Sequence, residues 1–173
     1  MLLYNPRKKI LYKAVNYNMR LRIPPVVQVL FFSSAMLVIS RYAIKASFSF
    51  TGINEFALTC LIAGVVMIGS GIVTFSKAKT TVSPLHPDQA SSLVTMGIYQ
   101  YTRNPMYFGL LLILFSFGLY LQNLASMFVL PIYVWFISKY QIMPEEEALY
   151  KLFGQEYKNY QNKIRRWIQV LIL

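Results

Sequence analysis

Between Phe56 and Phe75 the chain runs for 20 residues without a charged side chain. A helix of that length is about 30 Å long, the thickness of a bilayer's hydrocarbon core. The run also carries Ala63, Gly64, Gly69, Ser70 and Gly71, small residues that let membrane helices approach closely. Three more apolar runs share the chain with it, so helices are expected over 24–44, 56–75, 105–121 and 124–142. Pro24-Pro25 opens the first run, and Arg41 near its end can snorkel to the interface. Only Gln122-Asn123 separates the last two, which must then form a tight antiparallel hairpin. Pro131 interrupts the fourth. The expected fold is an all-α integral membrane domain of four transmembrane helices.

Composition agrees with that class. The 173 residues suffice for one domain, 56% are hydrophobic, and 13% are charged where a soluble domain has about 25%. A net charge of +11 would suggest nucleic acid in a soluble protein, but here the basic residues sort by topology. Six lie in 1–23, three in the 76–106 connection and six from Lys139 onward, against Arg41 and Lys45 on the other side. That asymmetry places both termini and the long connection in the cytoplasm, with membrane lipids and not nucleic acid as the partner. Cys60 is the single cysteine and His86 the single histidine, so no disulfide and no metal site is expected. No cleavable signal is expected at the polar, basic N-terminus.

Two polar stretches interrupt the apolar pattern. Gly97-Ile-Tyr-Gln-Tyr-Thr-Arg-Asn-Pro-Met-Tyr107 is aromatic and basic. Its Gly and Pro predict a shaped loop, with Asn104 as N-cap and Pro105 as the first helical residue. The free N–H groups of a helix start favour an anionic group such as a carboxylate. The second stretch, Pro144-Glu145-Glu146-Glu147, opens a cytosolic amphipathic helix over 144–160, with Leu149, Leu152, Phe153, Tyr157 and Tyr160 at helical spacing. Gly154 weakens or kinks it. The end, Lys163, Arg165, Arg166, Trp167 and then apolar residues, suits re-entry into the interface. The two stretches are expected to meet at the membrane surface and hold one charged small molecule between them.

Gly97-x-Tyr99-x-x-x-Arg103-Asn104-Pro105-x-Tyr107, followed by Glu145-Glu146-x-x-Leu149-x-x-x-Phe153-Gly154-x-x-Tyr157-x-x-Tyr160, resembles the isoprenylcysteine carboxyl methyltransferases. Those belong with the phospholipid methyltransferases of the membrane. The resemblance covers about residues 56–168, and the chain looks like the short bacterial members, which would place it in a bacterial inner membrane. It implies an S-adenosylmethionine-dependent enzyme acting on a lipophilic acceptor at the cytosolic face. It also implies a pocket in the cytosolic segments 76–104 and 144–173, with Tyr99, Arg103, Asn104, Pro105 and Tyr107 on one wall and Glu145 and Glu146 on the other. Asn104 stands where many members have His. Asn keeps hydrogen-bonding capacity and loses titration near neutral pH.

The cofactor so implied carries a sulfonium, an ammonium and a carboxylate. Glu145 or Glu146 suits the ammonium, Arg103 or the N–H groups after Asn104 the carboxylate, and Tyr99, Tyr101 or Tyr107 the adenine or the sulfonium. Arg103, Arg165 and Arg166 are the candidates for the reacting side, where Arg165 or Arg166 would steer an anionic acceptor. A carboxylate acceptor is already ionised, whereas a phospholipid amine must first lose a proton. The alternatives are therefore amine N-methylation, or a non-enzymatic scaffold of the same fold.

Overall fold

The structure is a computed structural model that describes residues 23–42, 46–78 and 92–168. The basic segment 1–22, the stretch 79–91 with His86, and the last apolar residues lie outside the described residues. Within them the chain is helical. Helix α1 spans Pro25–Tyr42, α2 Ile53–Lys77 and α3 Pro105–Leu121. The next run divides into α4, Leu124–Met127, and α5, Val129–Ile137. A π turn, Ser138–Ile142, joins α5 to α6, Met143–Phe153, and α7 covers Gln155–Lys163.

Two of these helices, α1 and α2, are long and apolar enough to cross a membrane, at 18 and 25 residues with mean hydropathies of 1.4 and 2.3. Helix α3 is also apolar but has 17 residues. Large apolar side chains cover the outside of α1 and α2, including Leu30, Phe31, Leu61, Val65 and Val66. Such a surface suits hydrocarbon better than water.

The run at 124–142 is not the single helix its hydropathy suggests. Phe128 breaks it, and Pro131 sits two residues after α5 begins, where its missing N–H matters little. The boundary expected before Pro144 is also missing. In an α-helix the Pro144 ring would clash with the carbonyl four residues back. The chain widens instead, so that the Met143 N–H reaches the carbonyl of Ser138, five residues back, and the helix continues through the proline. The break falls later, at Gly154 (φ 53°, ψ −122°), which splits the helix expected over 144–160 into α6 and α7.

Helices α2 and α3 form the rigid centre. They run antiparallel, with Ala57 beside Ser116, Gly64 beside Gly109 and Gly71 beside Met106. A Cβ at Gly64 would stand 2.7 Å from the Gly109 carbonyl oxygen, and one at Gly109 2.6 Å from that of Gly64. Only glycine permits that approach. The Ser116 hydroxyl donates to the Ala57 carbonyl (2.6 Å), satisfying a polar group that hydrocarbon would penalise. Helix α1 packs on α3, α4 and α5. There Phe32, Met36, Tyr107, Leu114, Val129, Tyr133 and Ile137 build the larger core. At the pole away from the long connection, the Leu124 N–H donates to Ala46 (2.8 Å) and the Phe48 N–H to Gln122 (3.0 Å).

Candidate functional site

The segment from Ser92 to Asn104 folds under the far end of α2. Gly97 takes φ +61° and starts a short 3-10 turn, Gly97–Gln100, against Thr74. Any side chain there would be strained and would meet the Thr74 hydroxyl at 3.0 Å. The turn buries Tyr99, whose ring meets Phe75 edge-on at 5.2 Å. Tyr160 of α7 donates its hydroxyl to the Tyr99 carbonyl at 2.7 Å, fixing the last helix to the turn.

Thr102, Arg103 and Asn104 are then strapped to the chain after α7. The Arg103 N–H donates to the carbonyl of Arg165 (3.1 Å). The carbonyl of Arg166 receives the Thr102 hydroxyl (3.3 Å) and the Asn104 side-chain amide (3.0 Å). Asn104 stands at the N-cap of α3, but its side chain makes no capping bond. That amide holds the strap, and the Asn104 N–H is met instead by the Thr102 hydroxyl at 3.1 Å. Pro105 follows in the first turn of α3.

The acidic start of α6 faces this turn. Glu146 is buried and lies between two guanidinium groups. Arg103 approaches one oxygen at 3.2 Å, and Arg166 takes both, from Nε at 3.1 Å and Nη2 at 2.7 Å. Glu145 accepts the Tyr107 hydroxyl and the Gln141 amide (2.8 Å) on one oxygen. Glu147 is exposed and pairs with Lys151 on the surface. Two arginines thus share one buried carboxylate, and a buried charge needs such partners. The balance leaves a surplus of donors. Nε and Nη1 of Arg103 are buried without a hydrogen-bond partner.

Between the turn and α6 lies a cavity of about 370 Å³, within the range of small-molecule sites. Tyr99, Arg103, Asn104, Pro105, Tyr107, Glu145 and Glu146 all line it. So do Tyr157 and Tyr160, which the spacing pattern assigns to packing. The remaining lining is mostly apolar: Pro25 and Val26 of α1, Ile68, Ile72 and Phe75 of α2, Met106 and Leu110 of α3, and Leu149 of α6, with Ser92, Leu93 and Val94 from the segment before the turn. Arg165 and Arg166 are not part of the lining. Arg166 is engaged by Glu146, and Arg165 meets the turn through its carbonyl.

Burial sets the electrostatics of the tyrosines. It raises the Tyr99 and Tyr160 hydroxyls well above their ordinary pKa and pushes Tyr157 up to about 12. The hydrogen bond to Glu146 raises Arg166 further still. Near neutral pH these tyrosines are neutral donors, and none is a base.

The family model described as phospholipid methyltransferase matches residues 53–156, from the start of α2 into α7. The chain belongs to the phospholipid methyltransferase family. Its similar relatives include protein-S-isoprenylcysteine O-methyltransferase B of Arabidopsis thaliana, 30% identical over 112 residues, which are 65% of this chain and 57% of that protein. A probable protein-S-isoprenylcysteine O-methyltransferase of Oryza sativa subsp. indica is 26% identical over 148 residues, covering 76% of this chain and 78% of that protein. The protein-S-isoprenylcysteine O-methyltransferase of Schizosaccharomyces pombe is 26% identical over 125 residues, covering 72% and 53%. The chain spans little more than half the length of the Arabidopsis and Schizosaccharomyces relatives. No solved structure matches. The family match contains the turn, α3 and the acidic start of α6, and it excludes α1 and the strap at Arg165 and Arg166.

Proposed function

We propose that this protein transfers a methyl group from S-adenosylmethionine to a lipophilic acceptor, at the cytosolic face of a four-span membrane domain. One observation carries the reading. Arg103 lines one cavity together with Glu145, Glu146 and the apolar side chains of α1, α2 and α3.

The residues fit the cofactor. Arg103 matches its carboxylate through charge-assisted bonds, and the acidic start of α6 matches its ammonium. Tyr99, Tyr107, Tyr157 and Tyr160 offer ring faces for adenine or the sulfonium. When bound, the cofactor supplies an electrophilic methyl group on sulfur. The protein's own task is alignment, since methyl transfer depends on holding nucleophile and methyl in line. Arg103 and the glutamates fix one reactant, and Pro25, Val26, Ile68, Ile72 and Leu110 seat the acceptor's tail. Arg165 and Arg166 lend positive charge near the site, which draws an acidic headgroup.

The acceptor best matched to these parts is an acid that is already ionised, such as a prenylated thiol-acid, because none of the site's tyrosines is a base near neutral pH. The family description favours a second reading, methylation of a phospholipid amine. That reaction requires a glutamate to take the proton.

Binding and transfer test the proposal together. Purified protein should bind S-adenosylmethionine saturably, and Arg103→Ala should weaken binding by at least about tenfold while leaving the fold intact. No binding at millimolar cofactor overturns the reading and leaves the scaffold alternative. Radiolabelled methyl transfer to membrane lipid extracts then separates the acceptors, since an ester label is released by base and an amine label is not.

A further inference from the structure

The outward face of α5 changes character along its length. Phe128, Ile132, Trp135 and Lys139 follow one another at spacings of four, three and four residues, and all are exposed. That spacing sets them in one stripe. The stripe is apolar beside the hairpin, then carries an indole, and ends on an ammonium at the π turn. A lipid leaflet changes in the same order, from hydrocarbon through interface to headgroup. Lys139 Nζ lies 5.1 Å from the centre of the Trp135 ring and 5.5 Å from that of Tyr140, and the two rings meet edge-on at 5.9 Å. The ammonium is therefore held back over the residue one turn earlier instead of reaching outward. Cation–π attraction seats a lysine without cancelling its charge. None of the ion pairs among the described residues includes Lys139.

Length points to the same place. From Leu124 to Lys139 the helical path rises about 22 Å, about 8 Å less than a bilayer's hydrocarbon core. Tyr42 and Tyr120 are exposed at the opposite pole, where tyrosines favour the interface. Helix α2, with 25 residues, is about 37 Å long. The side of the molecule that carries α5 is thus its short side, and a bilayer meets a short side by thinning.

We propose that Lys139, seated on Trp135 and Tyr140, binds the phosphate of an anionic phospholipid and draws the headgroup layer in beside the π turn. The inference rests on the membrane-embedded part of the reading above and is independent of methyl transfer. Glu145, in the cavity's charged wall, lies only six residues further along the same helical path. Lipid headgroups held at Lys139 would be neighbours of that wall.

The test uses the full chain in phosphatidylcholine bilayers with an equal share of phosphatidylglycerol, one of the two lipids carrying bromines that quench indole fluorescence. The chain has two tryptophans, so Trp167→Phe leaves Trp135 as the reporter. Bromines high on the acyl chain should quench Trp135 more than bromines near its middle. Brominated phosphatidylglycerol should quench it more than brominated phosphatidylcholine, with a preference of about fivefold that high salt weakens. Lys139→Gln in the same background should abolish the preference. Should Trp167→Phe fail to fold, the difference between wild type and Trp135→Phe isolates the same signal. Stronger quenching by the deep bromines, or equal quenching by the two lipids with and without Lys139→Gln, overturns the inference and leaves the enzyme reading standing. If no bromine quenches Trp135, the membrane embedding of α5 falls with the inference, and S-adenosylmethionine binding still decides the methyltransferase reading.

Discussion

The guanidinium of Arg166 closes on both carboxylate oxygens of Glu146, at 3.1 and 2.7 Å, from 20 residues further along the chain. The pair joins the strap to α6 at the point where Arg103 also meets Glu146, so one carboxylate holds the turn, the helix start and the strap together. Removing its charge leaves two guanidinium groups without the carboxylate that both of them meet.

Glu146→Gln should therefore lose about 3 kcal/mol of stability. That is the low end for breaking a buried pair, because the Arg166 side chain is one-third exposed. Thermal unfolding in detergent measures the loss. The same substitution should release the strap, seen as faster tryptic cleavage after Lys163, Arg165 and Arg166 than in wild type, and Arg166→Ala should speed cleavage after Lys163 and Arg165.

The crossing of α2 and α3 makes a sharper prediction, because the obstacle is backbone. Gly64→Ala or Gly109→Ala should cost about 2 kcal/mol or more by overpacking, with a lower melting temperature. At Gly69, on the same helix as Gly64, an added Cβ would meet nothing within 4 Å. Gly69→Ala should be neutral or stabilising by up to about 1 kcal/mol.

Ile72 lines the cavity from α2 and is also exposed on the outside of the protein. On the proposed function, Ile72→Trp should lower kcat/KM for a long-tailed acceptor by about tenfold or more, the scale of steric discrimination in an apolar pocket. Affinity for S-adenosylmethionine should change little. Parallel calorimetry and transfer assays separate the two effects.

Alkaline pH should destabilise the site. Tyr157 has its pKa raised from 10.0 to about 12 by burial, and Tyr99 and Tyr160 move in the same direction. The folded state thus holds these protons after the unfolded chain has released them. Their contribution is fully present below about pH 10 and is lost as pH rises towards 12 and beyond. Stability measured against pH should fall across that window, and less steeply in Tyr157→Phe. Absorbance near 295 nm should show a late-ionising component that is smaller in Tyr157→Phe.

Much of the site was legible because its residues have special requirements. Gly97 needs a positive φ, Pro105 fits only a helix start, and consecutive glutamates beside an apolar run need partners. The strap was not legible, since it is made from the carbonyls of Arg165 and Arg166, and every residue carries a carbonyl. For the same reason Asn104 reads as a cap in sequence and acts as a strap ligand in the fold. The π turn hides differently. Pro144 announces a helix start, and only packing of the helix on both sides of it makes a widened turn cheaper than a break. Tyr157 and Tyr160 fit a packing stripe equally well whether the space beneath them is filled or hollow.

The lining of the cavity has a kinetic corollary. Its charged wall carries Arg103, Glu145 and Glu146, and its greasy wall is built by α1, α2 and α3. On the proposed function, a water-soluble donor and a fat-soluble acceptor would arrive through separate doors, neither blocking the other's way out. An enzyme built like this can keep one reactant seated while it exchanges the other, so initial rates should follow a ternary-complex pattern with no compulsory order of entry.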